Sequence, residues 1–409
     1  MKKKIFILVF FLSLFTIFVS AENTDNTVTI ENNFNLKIDT DGINLNTTNI
    51  DLKIDSSGIH YKNRKKSDKI NDISSEVTLS IEKLDNNMTG FWENLKQNFS
   101  NFLEEFNTKM NLKPDSAQKD NNNETLNLDL HFSENSNNVE NIDIIIIGSN
   151  VEFITTENSN IDIKWTGEII AENALKRFQP EITRDKKTVK VIMKTNKKYN
   201  NGNSKYKSTV KIEIPNKVFN QISVNTVSGN VKNTNLIKSD NFQLKTVSGD
   251  GKLINIQSEK SHFATTSGDV SINSITVKDF TAKTVSGDFK IKNLESSNIS
   301  FNSTSGDLNI EMMKANDVTA KTVSGDIKID KVNAENKLMI NTVSGDVKLG
   351  SDYKNPFTFN FNTVSGKFSN KALLTVENMK KGSANGFNKN KSGCQYIIKS
   401  VSGDLEFFI

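Results

Sequence analysis

TVSGN at Thr226, TVSGD at Thr246, TTSGD at Thr265, TVSGD at Thr284, STSGD at Ser303, TVSGD at Thr322 and Thr342, TVSGK at Thr363 and SVSGD at Ser400 are nine copies of one pentapeptide. Their glycines, Gly229, Gly249, Gly268, Gly287, Gly306, Gly325, Gly345, Gly366 and Gly403, are spaced by 20, 19, 19, 19, 19, 20, 21 and 37 residues. So steady a period means one supersecondary unit stacked on itself. Between glycines, residues alternate apolar and polar, as in Phe289, Lys290, Ile291, Lys292, and no unit keeps a helical spacing. A unit of 19 or 20 residues is too short for a four-stranded propeller blade and has no room for a crossover helix. It suits one turn of a parallel β-solenoid with two or three short strands. The expected fold is therefore mainly β, a single-stranded parallel β-solenoid, right-handed by the general preference of parallel crossovers. Coils stacked at about 4.8 Å give a rod of roughly 40 Å.

Strand parity aims the side chains of the motif. Phe242 and Leu244 share parity with Thr246, as do Phe280 and Ala282 with Thr284, and Phe359 and Phe361 with Thr363. Because the apolar pair faces the core, the motif hydroxyl is expected to face it too. Thr226, Thr246, Thr265, Thr284, Ser303, Thr322, Thr342, Thr363 and Ser400 then form an inward hydroxyl column, each bonded to a neighbouring coil's hydroxyl or backbone. The following Val has opposite parity, which leaves either a corner that turns it inward or an exposed position. The glycine is read as a positive-φ residue at a tight corner, and the Asp as a turn residue bonding nearby amides.

These repeats, preceded by IEIPNKVFNQISVNTVSGN at Ile212 to Asn230, resemble a bacterial family of uncharacterised domains labelled "putative adhesins", with a strand-rich segment ending in I-P followed by T-x-S-G-D coils. The match runs from about Glu124 to Ile409, departing from the pattern at Asn230, at Lys367 and in the long interval before Ser400. The resemblance implies a β-solenoid at the cell envelope, with adhesion or envelope-stress sensing as roles.

Residues 1–21 read as a signal peptide: Lys2, Lys3 and Lys4, an apolar run of 15 residues from Ile5 to Val19, then the small residues Ser20 and Ala21. The alternative is an uncleaved anchor, for which the run is short. Export to the periplasm, envelope or cell surface follows. Loss of the three lysines takes the net charge from +4 to about +1, which gives no electrostatic case for nucleic acid. Cys394 is the only cysteine, so no internal disulfide forms, and no histidine adjoins it to make a catalytic thiol.

Residues 22–112 read as a small α/β module. LKIDTDGI at Leu36 and LKIDSSGI at Leu52 are strand-turn units, and Phe91, Leu95, Phe99, Phe102, Phe106 and Met110 form a helical apolar stripe. The helix's mixed charge favours packing on its own chain or on a second copy over a membrane, so self-association through it is one expectation. Residues 113–123 read as a linker, 124–216 as a strand-rich cap with irregular first coils, and 217–409 as regular coils. The interval of 37 residues before Gly403 reads as one further coil without the motif, interrupted by the loop at Gly382 to Gly393.

The arrangement nearest to chemistry is the acidic column Asp250, Asp269, Asp288, Asp307, Asp326 and Asp346, with Asp404 in the last copy. Carboxylates about 4.8 Å apart repel unless neutralised. Backbone capping, with screening by Lys252, Lys290, Lys328 and Lys348, is favoured over Ca²⁺, so no cofactor or metal is expected. A polysaccharide-active β-helix needs a unique acidic cluster rather than the same residue on every coil. The reading is a non-enzymatic exported rod that binds a protein or polysaccharide of the envelope or scaffolds it. A polysaccharide-active enzyme and a self-assembling filament are the alternatives.

Overall fold

The computed structural model describes residues 28–31, 34–39, 42–47, 50–55, 58–63, 123–199, 204–350, 355–372 and 374–409. The apolar leader, the Phe91 to Met110 stripe and nearly all of the linker lie outside them. The chain divides into two compact units, 1–105 and 106–409. In the first, strands β1 (Val28–Glu31), β2 (Phe34–Asp39), β3 (Gly42–Thr47), β4 (Ile50–Asp55) and β5 (Gly58–Asn63) form an antiparallel meander. Two residues separate each strand from the next, and LKIDTDGI and LKIDSSGI supply the β2–β3 and β4–β5 hairpins.

The second unit is one continuous sheet of 22 strands, coiled on itself. Its regular part comprises β15 (Leu236–Thr246), β16 (Gly251–Thr265), β17 (Val270–Thr284), β18 (Phe289–Ser303), β19 (Leu308–Thr322) and β20 (Ile327–Thr342), each paired in parallel with the next. Between β16 and β17 the pairing lapses at Ile254/Asn273 and at Glu259/Lys278. There the burial alternation also slips, with Asn273 and Ser274 both turned out of the core. With the motif turn, these make three corners and three faces per coil. The core is filled by inward residues of successive coils: Phe242 and Phe280 share one column with Ser261 between them, and Phe263, in the adjoining column, fills the gap with its ring 5.8 and 5.6 Å from theirs.

Stacking begins earlier than the first TVSG. Strand β7 (Asn141–Ile146) pairs in parallel with β13 (Val218–Thr226), and β8 (Asn150–Thr156) with β14 (Val231–Asn233). Ile146 lies opposite Thr226, so Ile146-Ile147-Gly148-Ser149-Asn150 occupies the motif's place in an initial coil. Outside it, β6 (Asn123–Asn135), β9 (Asn160–Glu172) and β12 (Ser204–Pro215) pair antiparallel, and β10 (Phe178–Asp185) pairs antiparallel with β11 (Thr188–Thr195). A single helical turn, Ala174–Arg177, joins β9 to β10. Trp165 is fully buried in this cap.

The other end corrects the expected order of coils. The last coil, β26 (Cys394–Lys399) and β27 (Leu405–Phe408), does not stack on the Thr363 coil from outside. Instead β26 pairs with β20 on one side and with β22 (Phe357–Asn362) on the other, while β27 lies between β21 (Val347–Gly350) and β23 (Phe368–Asn370). The Ser400 coil is thus inserted between the Thr342 and Thr363 coils. The interval of 37 residues is not an extra coil. It holds the hairpin β24 (Thr375–Lys380) and β25 (Ser383–Phe387), whose second strand pairs antiparallel with β22 and covers the open edge. Aromatic packing favours the insertion: Tyr396 stacks on Phe357 at 4.2 Å, and the Phe407 ring lies 5.2 Å from that of Phe359 and 6.2 Å from that of Phe368.

Candidate functional site

Each motif is a compact hydrogen-bonded device. The hydroxyls of Thr226, Thr246, Thr265, Thr284, Ser303, Thr322, Thr342 and Ser400 are buried, and Thr363, in the outermost coil, is half-buried. Thr226 and Thr363 donate to the adjacent coil as expected, to Ile147 O at 3.3 Å and Val401 O at 3.2 Å, Thr284 Oγ1 is buried without a partner, and the other bonds are local. Thr246 Oγ1 accepts from Gly249 N at 2.8 Å, and Thr322, Thr342, Thr363 and Ser400 do the same for their own glycines. Thr265 and Ser303 instead donate to the carbonyls of Gly268 and Gly306. The motif serine, to which the sequence reading gave no role, ties coil to coil: Ser267 Oγ donates to Val247 O at 3.3 Å and Ser344 Oγ to Val323 O at 3.3 Å. The Val position is half-buried on most coils.

Glycine is required for a reason other than the one expected. Among the described residues the positive-φ glycines are Gly167, Gly382 and Gly393, none of them in the motif. The motif glycines are instead a steric column. A Cβ on Gly268 would stand 2.1 Å from Gly249 O, one on Gly325 2.2 Å from Gly306 O, and one on Gly403 2.0 Å from Gly345 O. Gly366 in turn faces Gly403 O, which shows the inserted order again. The column starts at Ser149, whose side chain is accommodated by the cap: its hydroxyl lies 2.7 Å from that of Ser208 and accepts from Trp165 Nε1 at 3.1 Å.

The acidic column is a ladder. Asp250 Oδ1 accepts the backbone N–H of Asp269 at 3.0 Å, Asp269 that of Asp288 at 2.8 Å, Asp288 that of Asp307 at 3.0 Å, and Asp307 that of Asp326 at 2.8 Å. It continues through Asp326, Asp346 and Asp404 to the N–H of Lys367 at 2.7 Å. Asn150 and Asn230 make the same contact on the first rungs. Lys367 ends the ladder in space, where no further coil asks for an acceptor, which accounts for its departure from the motif. Lysine screening is narrower than expected: Lys290 lies 3.8 Å from Asp288, whereas Lys328 pairs with Asp330 at 2.7 Å. Burial, then the charges of Asp288 and Asp326, hold the Asp307 carboxyl above the usual range. No group of three or more His, Cys, Asp or Glu placed to hold a metal occurs among the described residues.

An open groove of about 640 Å³ lies along the corner between the second and third faces. It runs from Lys238 past Ser258, Val277, Ser296 and Ala315 to Glu335, and small residues on successive coils make it concave. Its Glu295 is paired with Lys314 at 2.7 Å, with 55% of its side chain exposed. Cys394 is buried in β26, and burial, more than the nearby Asp317 charge, pushes its thiol up to about 12.

The family model described as Toastrack DUF4097 matches residues 139–407, from the first coil to the inserted last strand. The chain belongs to this family. Among solved structures, Toastrack coils like these are similar to a protein of Parabacteroides distasonis named "putative lipid binding protein", at 16% identity over 70% of this chain and 97% of that one, with a TM-score of 0.43. A Bacteroides fragilis protein named "putative adhesin" is 16% identical over 68% of this chain and 96% of its own, with a TM-score of 0.35. No curated protein matches the chain.

Proposed function

We propose that this Toastrack protein is an exported, non-enzymatic rod that binds an extended ligand of the cell envelope or surface, in the manner of an adhesin or scaffold. One observation carries the reading: the residues repeated on every coil are spent on the backbone. Motif hydroxyls hold glycine amides, and motif carboxylates hold the next coil's N–H. Repetition therefore serves a straight, stiff scaffold, and the faces between the motifs are left for contact. A shallow groove crossing six coils suits a polymer better than a small molecule.

Two alternatives are weaker. A polysaccharide-cleaving enzyme needs a carboxyl shielded from water to act as acid, whereas Glu295 in the groove is solvated and ion-paired. A filament needs open ends, and both ends of this sheet carry antiparallel strands.

The test is binding of the chain lacking residues 1–21, and of residues 106–409 alone, to intact cells and isolated envelope fractions, with and without a chelator. Saturable binding by both, unaffected by chelator, is expected. Failure of both to bind, or turnover of an envelope polysaccharide, would overturn the reading.

A further inference from the structure

The last coil of the solenoid is walled on one side and open on another. The hairpin of β24 and β25 adds two antiparallel strands to β22, about 10 Å of sheet beyond that coil. Strand β23 pairs with β27 below it, and no further strand pairs with it among the described residues. Between the hairpin's turn and the last motif turn lies a cleft of about 380 Å³, within the range of small-molecule sites. Phe361 and Phe368, with rings 6.4 Å apart, form its floor, and Met379 overhangs it. Met379 lies opposite Ala384, and Ala384 opposite Phe361, so all three share the core side of the sheet. Phe361 and Ala384 are buried there, but no coil lies beneath Met379, whose exposure is 68%. Phe368 continues the column of Ile327, Val347 and Leu405, which is buried on the coils below, and is itself half-buried.

Charge and backbone give the cleft a second chemistry. Lys367, Lys380 and Lys381 line its mouth, and among the described residues no Asp or Glu does, nor do these three make an ion pair. The nearby carboxylates are engaged: Glu377 pairs with Lys391, Glu406 with Lys371, and Asp404 accepts the Lys367 N–H. Lys367 stands where seven copies of the motif carry Asp. Release from the ladder removes the need for a carboxylate there, but it does not call for a cation. Each lower coil also donates the N–H that follows its motif to the next coil, as Leu308 N does to Asp326 O at 2.9 Å and Leu405 N to Lys367 O at 2.9 Å. The equivalent N–H of Phe368 points where a further coil would lie, at the cleft.

We infer that this cleft binds a single-chain anionic amphiphile, its chain on Phe361, Phe368 and Met379 and its carboxylate or phosphate on the three lysines and the Phe368 N–H. Apolar burial and charge-assisted hydrogen bonds then act at opposite ends of one ligand. A peptide strand fits worse. β23 offers only three residues, and β24 is broken by a bulge between Val376 and Asn378; both features blunt an edge against strand addition. A second copy meeting this one end to end would set lysine against lysine. A bilayer does not reach a recessed floor in which Phe361 is 1% exposed, whereas one detached chain does. The site is separate from the groove through which the rod was read as a binding protein.

The test is calorimetric titration of the full chain with dodecanoate and with dodecyl phosphate, both below their micellar concentrations, alongside acetate, dodecyltrimethylammonium and phosphatidylglycerol vesicles. One molecule of either anionic amphiphile should bind per chain, their ratio of affinities assigning the head group, and the other probes should not bind. Lys367→Asp, which restores the motif's own letter, and Met379→Asp, at an exposed position, should each weaken binding about tenfold with the melting temperature unchanged. Lys252→Asp, at an exposed lysine of an early coil, should leave it as it was. Hydrogen exchange should slow on addition of dodecanoate within residues 357–387 and not along the other coils. Undiminished binding by the two cleft variants, equal binding of the cationic amphiphile, protection spread along the rod, or binding of vesicles alone would overturn the inference.

Discussion

The two ends of the solenoid are closed by opposite means. At the first end, the chain lays down β7 and β8, builds the cap outside them, with β11 and β12 pairing in parallel with β7 and β8 and Trp165 buried in it, and then crosses to their other side to begin β13 and β14. At the other end the chain passes beyond its own terminal coil, makes a hairpin over the edge, and returns to fill the layer beneath. The first arrangement adds material outside the repeat, and the second uses one repeat as a bolt through it. Substitutions at the first end are therefore expected to be absorbed locally, and those at the second to open several layers.

The largest effect should follow from ending the chain after Gly393. That removes Cys394, Tyr396, Ile398, Leu405 and Phe407, all buried. At about 1.5–3 kcal/mol each, the lost burial is on the order of 10 kcal/mol, comparable with the whole stability of many domains. Circular dichroism and limited proteolysis should show the coils beyond β20 unfolded while the first coils persist; a fully folded product would break the comparison. A smaller lesion at the same end, Phe407→Ala, should cost about 3–5 kcal/mol. Its reporter is Cys394, whose thiol, at about 12, stays protonated and unreactive in the closed coil. Alkylation followed by mass spectrometry should be slow in the native chain and faster in the variant.

Gly325→Ala tests the column between the ends. Its Cβ would stand 2.2 Å from Gly306 O, so two coils must part, at about 3 kcal/mol. The corresponding change at the first coil, Ser149→Ala, loses only the hydroxyl contacts to Ser208 and Trp165, about 1–2 kcal/mol. Thermal melts that rank the two the other way would refute the steric reading of the glycine.

The smallest effects concern the ladder. Asp307→Ala should cost about 1 kcal/mol by leaving the Asp326 N–H unmet, while Asp307→Asn keeps an acceptor, as Asn150 and Asn230 do. Because the folded carboxyl titrates above its unfolded value, its contribution to stability is complete below about pH 4 and declines as pH rises through the folded value. The melting temperature of Asp307→Asn should therefore match the parent's below pH 4 and exceed it at pH 7. A difference constant with pH would count against repulsion within the ladder.

Period and parity made the coil, its length and its inward residues legible, because a repeat of 19 or 20 residues with alternating burial has few solutions. The inward Thr was legible for the same reason, but its partner was not, since parity gives a direction and no bond. The glycine was misread because positive φ and close approach of backbones leave the same residue in the sequence, and Gly268 needs only the second. The initial coil escaped notice because Ile146-Ile147-Gly148-Ser149-Asn150 keeps the geometry of the motif but has Ile in place of Thr and Val and carries its Ser and Gly in reversed order. The inserted coil was hidden because spacing records order along the chain and not order in space. Its signal was Lys367, a rung with no carboxylate immediately before β23.

Insertion of the last coil also sets a clock on folding. Residues 357–370 leave the ribosome before residues 394–408, yet they lie farther from the first coil. A solenoid whose units meet only their sequence neighbours can grow layer by layer behind synthesis or export. This one must hold its outermost layer apart, or dock it and release it, until a later segment arrives, so its final step is a long-range closure of the kind that slows folding. Refolding followed by protection of Cys394 should time that step, with the first coils compact well before the thiol is covered.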